Sequence, residues 1–310
     1  MRIAIIGAGF SGLSIAWHLH QAGCHTTTLF DKAGIGGGCS AIAAGLLHPY
    51  GGVRSRLNAL GLEGMAATQR LLQAAEKCLN TPVASKTGLF RIPTSPHQLK
   101  EFQTSSQLYN IPWSKSLGQE ALFIPDALTV NCPLYLEGLW ASCLEQGSSL
   151  QIDLISSPSQ LSNLFDIIII AAGADSTTLH PDLPLKPLKG QIITVYNSFN
   201  ISTPTTTDCY IIPQNNLLTI GATFERNFSS PLPDPALASQ SLLPTLDPFL
   251  PNISSSTILS CKAGIRATTP NRLPLLKKLS HNTWIASGLG SKGLLYHSLL
   301  GQNTTKTILS

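Results

Sequence analysis

The chain begins with Met-Arg-Ile-Ala-Ile-Ile-Gly-Ala-Gly-Phe-Ser-Gly, residues 1–12, and this stretch decides the fold. Its β-branched run predicts a buried parallel strand, and the pattern Gly7-x-Gly9-x-x-Gly12 leads directly into a helical periodicity. The first glycine of such a turn closes the bend, the second lets backbone approach a pyrophosphate, and the third lets the helix pack on the strand. Phosphates would then lie at the positive end of the helix. The stretch therefore predicts a Rossmann-like dinucleotide site, with a simple tight turn as the alternative.

An acidic residue follows the second predicted strand. This strand covers residues 26–30 and ends at Asp31, about 20 residues beyond the glycine turn. A carboxylate at that distance is expected to bind the ribose hydroxyls of an adenine dinucleotide. At this point the motif alone is compatible with a nicotinamide or a flavin dinucleotide.

The composition of the 310 residues predicts an ordered globular protein. Hydrophobic residues make up 43% of the chain and charged residues 12%, and no apolar run reaches the length of about 20 residues that a membrane span needs. The seven cysteines contain no CxxC pair, which favours reduced thiols and a cytoplasmic location. Neither the cysteines nor the histidines show a ligand spacing, so no metal site is predicted.

Positive charge is concentrated at the end of the sequence. From residue 261 onward there is no Asp or Glu, whereas the basic residues are Lys262, Arg266, Arg272, Lys277, Lys278, Lys292 and Lys306. Such an asymmetry indicates an anionic partner such as RNA. The other interpretation is that these side chains contact cofactor phosphate and substrate carboxylate or solubilise the surface.

The pattern of strands predicts an α/β fold with an insertion. The run 165–173 is apolar on every side, which places it in the same parallel sheet as the first strand. Later strands alternate, as in a mixed or antiparallel sheet. We therefore expect a Rossmann-like domain and an inserted α+β substrate domain. The first would comprise 1–82, 130–182 and 257–310, and the second 83–129 and 183–256.

Several further motifs follow in a recognisable order. They are Ser40-x-x-x-Ala44-Gly45, the strand 166–173, Pro187–Gln191, Gly221–Thr223, Gly264–Thr268 and Gly288–Leu294. Together they resemble the D-amino-acid oxidase-like family of FAD-dependent amine oxidoreductases. Within it, the likeness is greatest to the FAD domain of the bifunctional enzyme that matures 5-methylaminomethyl-2-thiouridine in tRNA, and glycine oxidases resemble the chain nearly as well. The resemblance implies FAD as the cofactor of the Rossmann-like domain.

The resemblance also implies which residues bind FAD. They are the turn and acid already described (Gly7, Gly9, Gly12 and Asp31) together with Phe10, Ser11, Lys32, Cys39, Ser40, Ala44, Gly45, Leu46, Ala172, Gly173, Gly288, Gly290, Ser291, Lys292 and Gly293.

Three residues are candidates for the chemistry. Arg266 lies in an otherwise apolar strand-like stretch, and an arginine fork binds a carboxylate through two parallel hydrogen bonds; pairing with a structural acid is the alternative. Tyr210 could cover the carboxylate or the amine with its hydroxyl, or serve only in strand packing. Lys292 and the helix after it could stabilise negative charge on the reduced flavin or hold substrate; a plain β–α turn is the other interpretation.

The predicted reaction is oxidation of the C–N bond of a glycine-like or N-substituted-glycine amine to an imine, which water hydrolyses. One version acts on the carboxymethylaminomethyl group of a tRNA wobble uridine, and the other on a free small amino acid or secondary amine. A flavoprotein without amine turnover and an NAD-dependent dehydrogenase are the remaining alternatives. The electron acceptor and the oligomeric state are left open by the sequence.

Overall fold

The computed structural model describes residues 1–24 and 26–310. Its strands are β1 (Ile3–Ile6), β2 (Thr27–Asp31), β3 (Leu46–Leu47), β4 (Tyr50–Gly51), β5 (Arg56–Leu57), β6 (Ala84–Lys86), β7 (Leu89–Arg91), β8 (Trp113–Ser116), β9 (Gln119–Ile124), β10 (Leu128–Val130), β11 (Ser149–Ile152), β12 (Ile167–Ile170), β13 (Lys186–Tyr196), β14 (Thr205–Thr206), β15 (Tyr210–Gln214), β16 (Leu217–Gly221), β17 (Ser260–Thr268), β18 (Leu275–Lys278) and β19 (Thr283–Ser287). Its α-helices are α1 (Phe10–Gln21), α2 (Gly61–Leu79), α3 (Pro96–Tyr109), α4 (Cys132–Glu145), α5 (Ser176–Leu179), α6 (Pro235–Leu242) and α7 (Gly293–Leu309).

The first sheet contains the N-terminal strand at its centre. Its spatial order is β11-β2-β1-β12-β19-β18, and all neighbours are parallel except β18 and β19. All four residues of β1 are buried, and Ile3 is in register with Ile167 of β12. The helices α1, α2, α4 and α7 pack together beside this sheet. The α/β prediction is confirmed, including the parallel pairing of the two isoleucine-rich strands.

The second sheet has eight strands and is mixed. Its order is β17-β13-β16-β15-β14-β7-β9-β8, and within it only β14 and β7 pair in parallel. An apolar cluster that includes Ile193, Val195, Ile211 and Leu242 joins one face to α6. The opposite face carries Gly264, which lies against Cys39 of the first part of the chain. The predicted inserted sheet is therefore present, and its open face is turned toward the glycine turn region.

One strand lies on the other side of a predicted boundary. The range 257–310 was assigned to the Rossmann-like domain, whereas β17 pairs with β13 over nine positions of the eight-stranded sheet. The chain returns to the first sheet only at β18. The sequence of β17 alternates only weakly, so it does not show which of two sheets the strand joins. The rest of the domain division stays a prediction.

Among the described residues, no helix combines the length and apolar character needed to cross a bilayer.

Candidate active site

The turn after β1 has a backbone that only glycine fits. Gly7 adopts φ +115°, and a Cβ there would overlap the Ala171 carbonyl at the end of β12. A Cβ on Gly12 would overlap the carbonyl of Gly7, so this glycine lets α1 start directly above the strand. These contacts fit the roles that the sequence predicted for the first and third glycines of a dinucleotide-binding turn.

The N-terminus of α1 is open for an anion. Gly9 is the N-cap residue and supplies no side-chain cap, and the first turn contains no acid. The Phe10 amide donates to Ser40 Oγ at 3.0 Å, which draws the 36–45 loop onto the helix start. Free amides and a helix dipole at this end favour a phosphate group. The residues present therefore fit the pyrophosphate of a dinucleotide.

Asp31 holds the backbone around the turn. Its Oδ2 accepts the Ala8 amide at 2.9 Å and its Oδ1 accepts the Ala33 amide at 2.9 Å. A carboxylate oxygen can accept more than one hydrogen bond, so both oxygens keep capacity for ribose hydroxyls. Lys32 points elsewhere, since its Nζ pairs with Asp175 at 2.6 Å on the surface. Its predicted cofactor contact would require that exposed ion pair to rearrange.

A second helix end lies beside the first. The α7 helix starts at Gly293 without a side-chain cap and without an acid in its first turn. A Cβ on Gly293 would lie 3.1 Å from the Phe10 ring, so the two helix starts are in contact. Lys292 precedes this helix, and burial, followed by the charge of Arg272, lowers its pKa. Two positive helix ends therefore lie side by side, and the Lys292 ammonium lies 5.6 Å from the centroid of the Tyr296 ring in the first turn of α7.

A buried histidine braces the two helix starts. His297 lies 5.1 Å from Phe10 between ring centroids, and its Nδ1 is 3.0 Å from the Gly293 carbonyl. Its Nε2 lies 2.6 Å from the hydroxyl of buried Tyr135. These partners assign a neutral imidazole that donates from Nδ1 to backbone and accepts the Tyr135 hydroxyl. Burial lowers the pKa of His297 to about 4, which keeps this neutral form.

Acidification from pH 7 to pH 5 should destabilise the folded protein. Burial lowers the pKa of both His18 and His297 to about 4, so the folded state holds these two histidines neutral. Unfolded histidine titrates near 6.5, so the unfolded state binds more protons between about pH 6.5 and pH 4. Each of these two histidines, His18 and His297, should therefore cost about 1.4 kcal/mol of unfolding free energy per pH unit in that window. Urea unfolding with saturating FAD at several pH values measures the slope.

The matched variants are His297→Gln, which should flatten the slope, and His281→Gln. His281 is exposed, so its replacement should leave the pH dependence of unfolding as it is in the wild type. A slope that His297→Gln does not change would contradict the assignment.

Arg266 and Tyr210 lie flat on the open face of the eight-stranded sheet. The Arg266 guanidinium covers Gly190 on the neighbouring strand, where a Cβ would overlap its Nη2. The Tyr210 hydroxyl covers Gly221 in the same way, since a Cβ there would lie 2.7 Å from it. Two glycines in adjacent strands thus make room for two long polar side chains. Gly264 of the same face packs on Cys39, so this polar surface meets the predicted FAD loop.

The electrostatics of this face indicate an anion-binding site. Nη1 of Arg266 is buried and has no hydrogen-bond partner among residues 1–24 and 26–310. Burial raises the pKa of the Tyr210 hydroxyl well above its usual value, against the opposing charge of Arg266. The tyrosine therefore stays protonated and can donate a hydrogen bond. A buried N–H of a guanidinium is costly to leave without an acceptor, and a substrate carboxylate would supply one.

The structure assembles most of the predicted residues around one region. The glycine turn, Ser40, Ala172 and Gly293 lie around the start of α1, and Cys39 adjoins the Arg266 face. Gly45 lies between Ala44 and β3 and adopts φ +88°, and a Cβ there would overlap the Val130 carbonyl oxygen. Gly288 and Gly290 also have positive φ, and Ser291 is exposed. Their individual contacts with cofactor or substrate stay predictions.

Sequence reasoning missed Phe224 and the buried pair Lys189–Glu225. The Phe224 ring centroid lies 5.1 Å from Cζ of Arg266. The pair could have been found from Lys189, which lies in a strand-like stretch between Leu188 and Ile192, because a lysine buried in a strand needs a charge partner.

No group of three or more His, Cys, Asp or Glu that could hold a metal ion occurs in the part of the chain that the structure describes. All seven cysteines are free thiols.

A glycine turn on a parallel sheet lies near a mixed sheet whose Arg266 has an Nη1 without a hydrogen-bond partner among the described residues, and this arrangement fits a protein that binds a dinucleotide cofactor beside a carboxylate. The chain belongs to the DAO family, described as FAD dependent oxidoreductase, whose match covers residues 2–307. The predicted cofactor FAD and the predicted class of enzyme are confirmed by this membership, which favours flavin over nicotinamide.

Relatives and solved structures agree with the family. The chain is 25% identical over 322 residues to the tRNA 5-methylaminomethyl-2-thiouridine biosynthesis bifunctional protein MnmC of Maricaulis maris, covering 99% of this chain and 52% of that protein. It is 24% identical over 342 residues to glycine oxidase of Bacillus licheniformis, covering 98% and 92% of the two chains. The chain thus spans about half the length of the bifunctional relatives. The crystal structure of glycine oxidase from Geobacillus kaustophilus matches with a TM-score of 0.83 at 22% identity, covering 98% of this chain and 94% of that one.

Proposed function

We propose that this protein oxidises the C–N bond of a glycine-like or N-substituted-glycine amine. The observation that carries the proposal is the half-buried Arg266 guanidinium, whose buried Nη1 has no hydrogen-bond partner among the described residues. A glycine-like substrate carries its carboxylate on the same carbon that bears the amine. An arginine fork that binds this carboxylate would therefore fix the reacting carbon close by.

The residues divide the work as follows. Bound FAD would supply the two-electron oxidation of the carbon next to the amine nitrogen, and water would hydrolyse the resulting imine. Arg266 would bind the carboxylate, and the protonated Tyr210 hydroxyl would donate to the carboxylate or accept from the amine. Lys292 and the first backbone amides of α7 would stabilise negative charge on the reduced flavin, because the N-terminus of a helix is its positive end.

Two substrate classes fit the same clamp. The bifunctional relatives are named for the biosynthesis of a tRNA nucleoside, and other relatives are named glycine oxidase. An exposed basic group supports the tRNA class: Arg272, Lys277 and Lys278 are exposed on β18 and the loop before it, following Arg266 in the chain. A tRNA substrate would place the reaction in the cytoplasm. The free amino acid or secondary amine is the second candidate, supported by the near full-length match to glycine oxidase.

Anaerobic flavin reduction distinguishes the two classes. The purified, FAD-loaded protein is mixed with tRNA that carries carboxymethylaminomethyluridine, or with glycine and N-methylglycine, and the flavin absorbance is followed. If tRNA is the substrate, it should reduce the flavin faster than the free amines. The double variant Lys277→Ala/Lys278→Ala should then slow reduction by tRNA and leave reduction by free amines unchanged.

The same experiment can reject the proposal. Absence of flavin reduction by every amine, in protein that holds FAD and binds carboxylates, would show that the chain does not oxidise this class of substrate.

A further inference from the structure

A short segment after β16 is attached to β13 by backbone hydrogen bonds. Glu225 and Lys189 exchange both backbone hydrogen bonds at 3.0 Å, and the Thr223 amide donates to the Gln191 carbonyl at 3.1 Å. The segment 223–225 therefore runs as an extra extended stretch beside β13. In an extended chain, neighbouring side chains point to opposite faces.

The side chains on either side of Phe224 are held on the rear face. Lys189 is 4% exposed, and its Nζ lies 3.6 Å from Oε2 of Glu225. Gln191, fully buried, donates from Nε2 to Oε1 of Glu225 at 2.9 Å and accepts the Asp234 amide at 2.6 Å. The Thr223 hydroxyl also bonds to Glu225. Removal of one partner from a buried, hydrogen-bonded ion pair is strongly destabilising, because the other charge is left unpaired. The Lys189–Glu225 pair therefore fixes the segment 223–225 against β13.

This anchoring places Phe224 on the opposite face, where Arg266 lies. The ring stacks on the guanidinium at 5.1 Å, yet the residue is 63% exposed. A cation–π contact on the guanidinium face leaves the in-plane N–H groups free for a carboxylate. Phe224 is therefore fixed at the rim of the clamp without competing for the hydrogen bonds of Arg266.

We propose that Phe224 determines specificity for the carbon next to the substrate carboxylate, and that Lys189 and Glu225 are the residues that position it. The proposal rests on the carboxylate clamp of the proposed function. A carboxylate bound in the guanidinium plane would have its α-carbon one bond beyond the carboxylate, on the side of Arg266 that the Phe224 ring covers. A substituent on that carbon meets the ring, whereas a substituent on the amine nitrogen points further away. Phe224 thus favours glycine and N-substituted glycines over branched amino acids.

The first test replaces the ring. Phe224→Ala should raise kcat/KM for alanine relative to glycine by about tenfold or more, because one methyl group in a tight site is worth about 10- to 200-fold in discrimination. The ratio for N-methylglycine to glycine should stay within about twofold. Tyr196→Ala is the matched control, since Tyr196 is an exposed aromatic residue at the far end of β13. An unchanged alanine-to-glycine ratio in Phe224→Ala would overturn the proposal.

The second test separates positioning from stability. Glu225→Gln removes the charge partner of Lys189 with little change of shape, and it should move the alanine-to-glycine ratio in the same direction as Phe224→Ala. Lys189→Arg keeps the ion pair and should keep the wild-type ratio. A lower melting temperature in Glu225→Gln without a change in the ratio would assign the pair a structural role only and overturn that part of the proposal.

A binding measurement stands apart from turnover. Acetate and 2-methylpropanoate are unreactive carboxylates that differ in substitution at the α-carbon, and their stabilisation of the FAD-loaded protein is read as a shift in Tm. Wild type should bind acetate in preference, and Phe224→Ala should lose that preference. This result does not depend on whether the protein oxidises amines. An equal preference for acetate in the wild type and in Phe224→Ala would refute the role of Phe224 and leave the proposed oxidation untouched.

Discussion

Arg266→Leu should lower kcat/KM for the best amine substrate by about 30- to 1000-fold, corresponding to about 2–4 kcal/mol of transition-state binding, while FAD stays bound. The guanidinium has a buried, unpartnered Nη1 and lies over Gly190, so leucine would fit the space but offer no hydrogen bond. Anaerobic flavin reduction at varied substrate concentration measures the loss.

Arg266→Lys should recover only part of this activity, because a point charge does not reproduce the planar fork. Esters of the substrate lack the carboxylate charge. They should be poor substrates for the wild type and nearly indifferent to the substitution. Equal losses for acid and ester would show instead that Arg266 has a structural role, and the clamp would then be wrong.

The central strands could be predicted because their residues are unambiguous. The isoleucine runs of β1 and β12 are apolar on both sides, and a strand of that kind must be covered on both faces. The starts of α3 and α4 also carry signals that a sequence shows, because Ser95 and Asn131 are N-cap residues followed by a proline in the first helical turn.

The smaller strands were missed because they are polar. The hairpin of β8 and β9 contains residues 113–124, and in residues 113–120 Ser, Lys, Gln and Glu outnumber the apolar Trp113 and Leu117. The sheet to which a strand belongs could not be predicted either, because pairing between strands distant in sequence is set by tertiary packing. The strand β17, which pairs with β13, is the example.

Within the candidate site, motifs with backbone requirements were the most predictable. Gly7 and Gly12 are dictated by overlaps that any side chain would cause. The hydrogen bond that Asp31 accepts from the Ala8 amide and the position of Phe224 beside Arg266 depend on which atoms come together across the fold. No local pattern in one sequence reports such contacts.

Gly9→Val should abolish FAD binding in a chain that still folds. A Cβ on Gly9 would lie 2.8 Å from Ser40 Oγ, the atom that accepts the Phe10 amide. The valine methyl groups extend further into the space at the helix start, where a pyrophosphate must approach the backbone amides. We expect colourless protein with wild-type secondary structure by circular dichroism, and FAD release measured after denaturation should fall to background.

Gly38→Val is the matched control for this prediction. Gly38 lies in the same glycine-rich loop as Ser40, but nothing lies within 4 Å of a Cβ built on it. The control should therefore hold FAD like the wild type, with an unchanged flavin absorbance per chain. Two results would count against the cradle as described: full FAD retention by folded Gly9→Val, or equal loss of FAD from both variants. The first would place the pyrophosphate away from Gly9, because a branched side chain and a phosphate cannot share the space above the α1 amides.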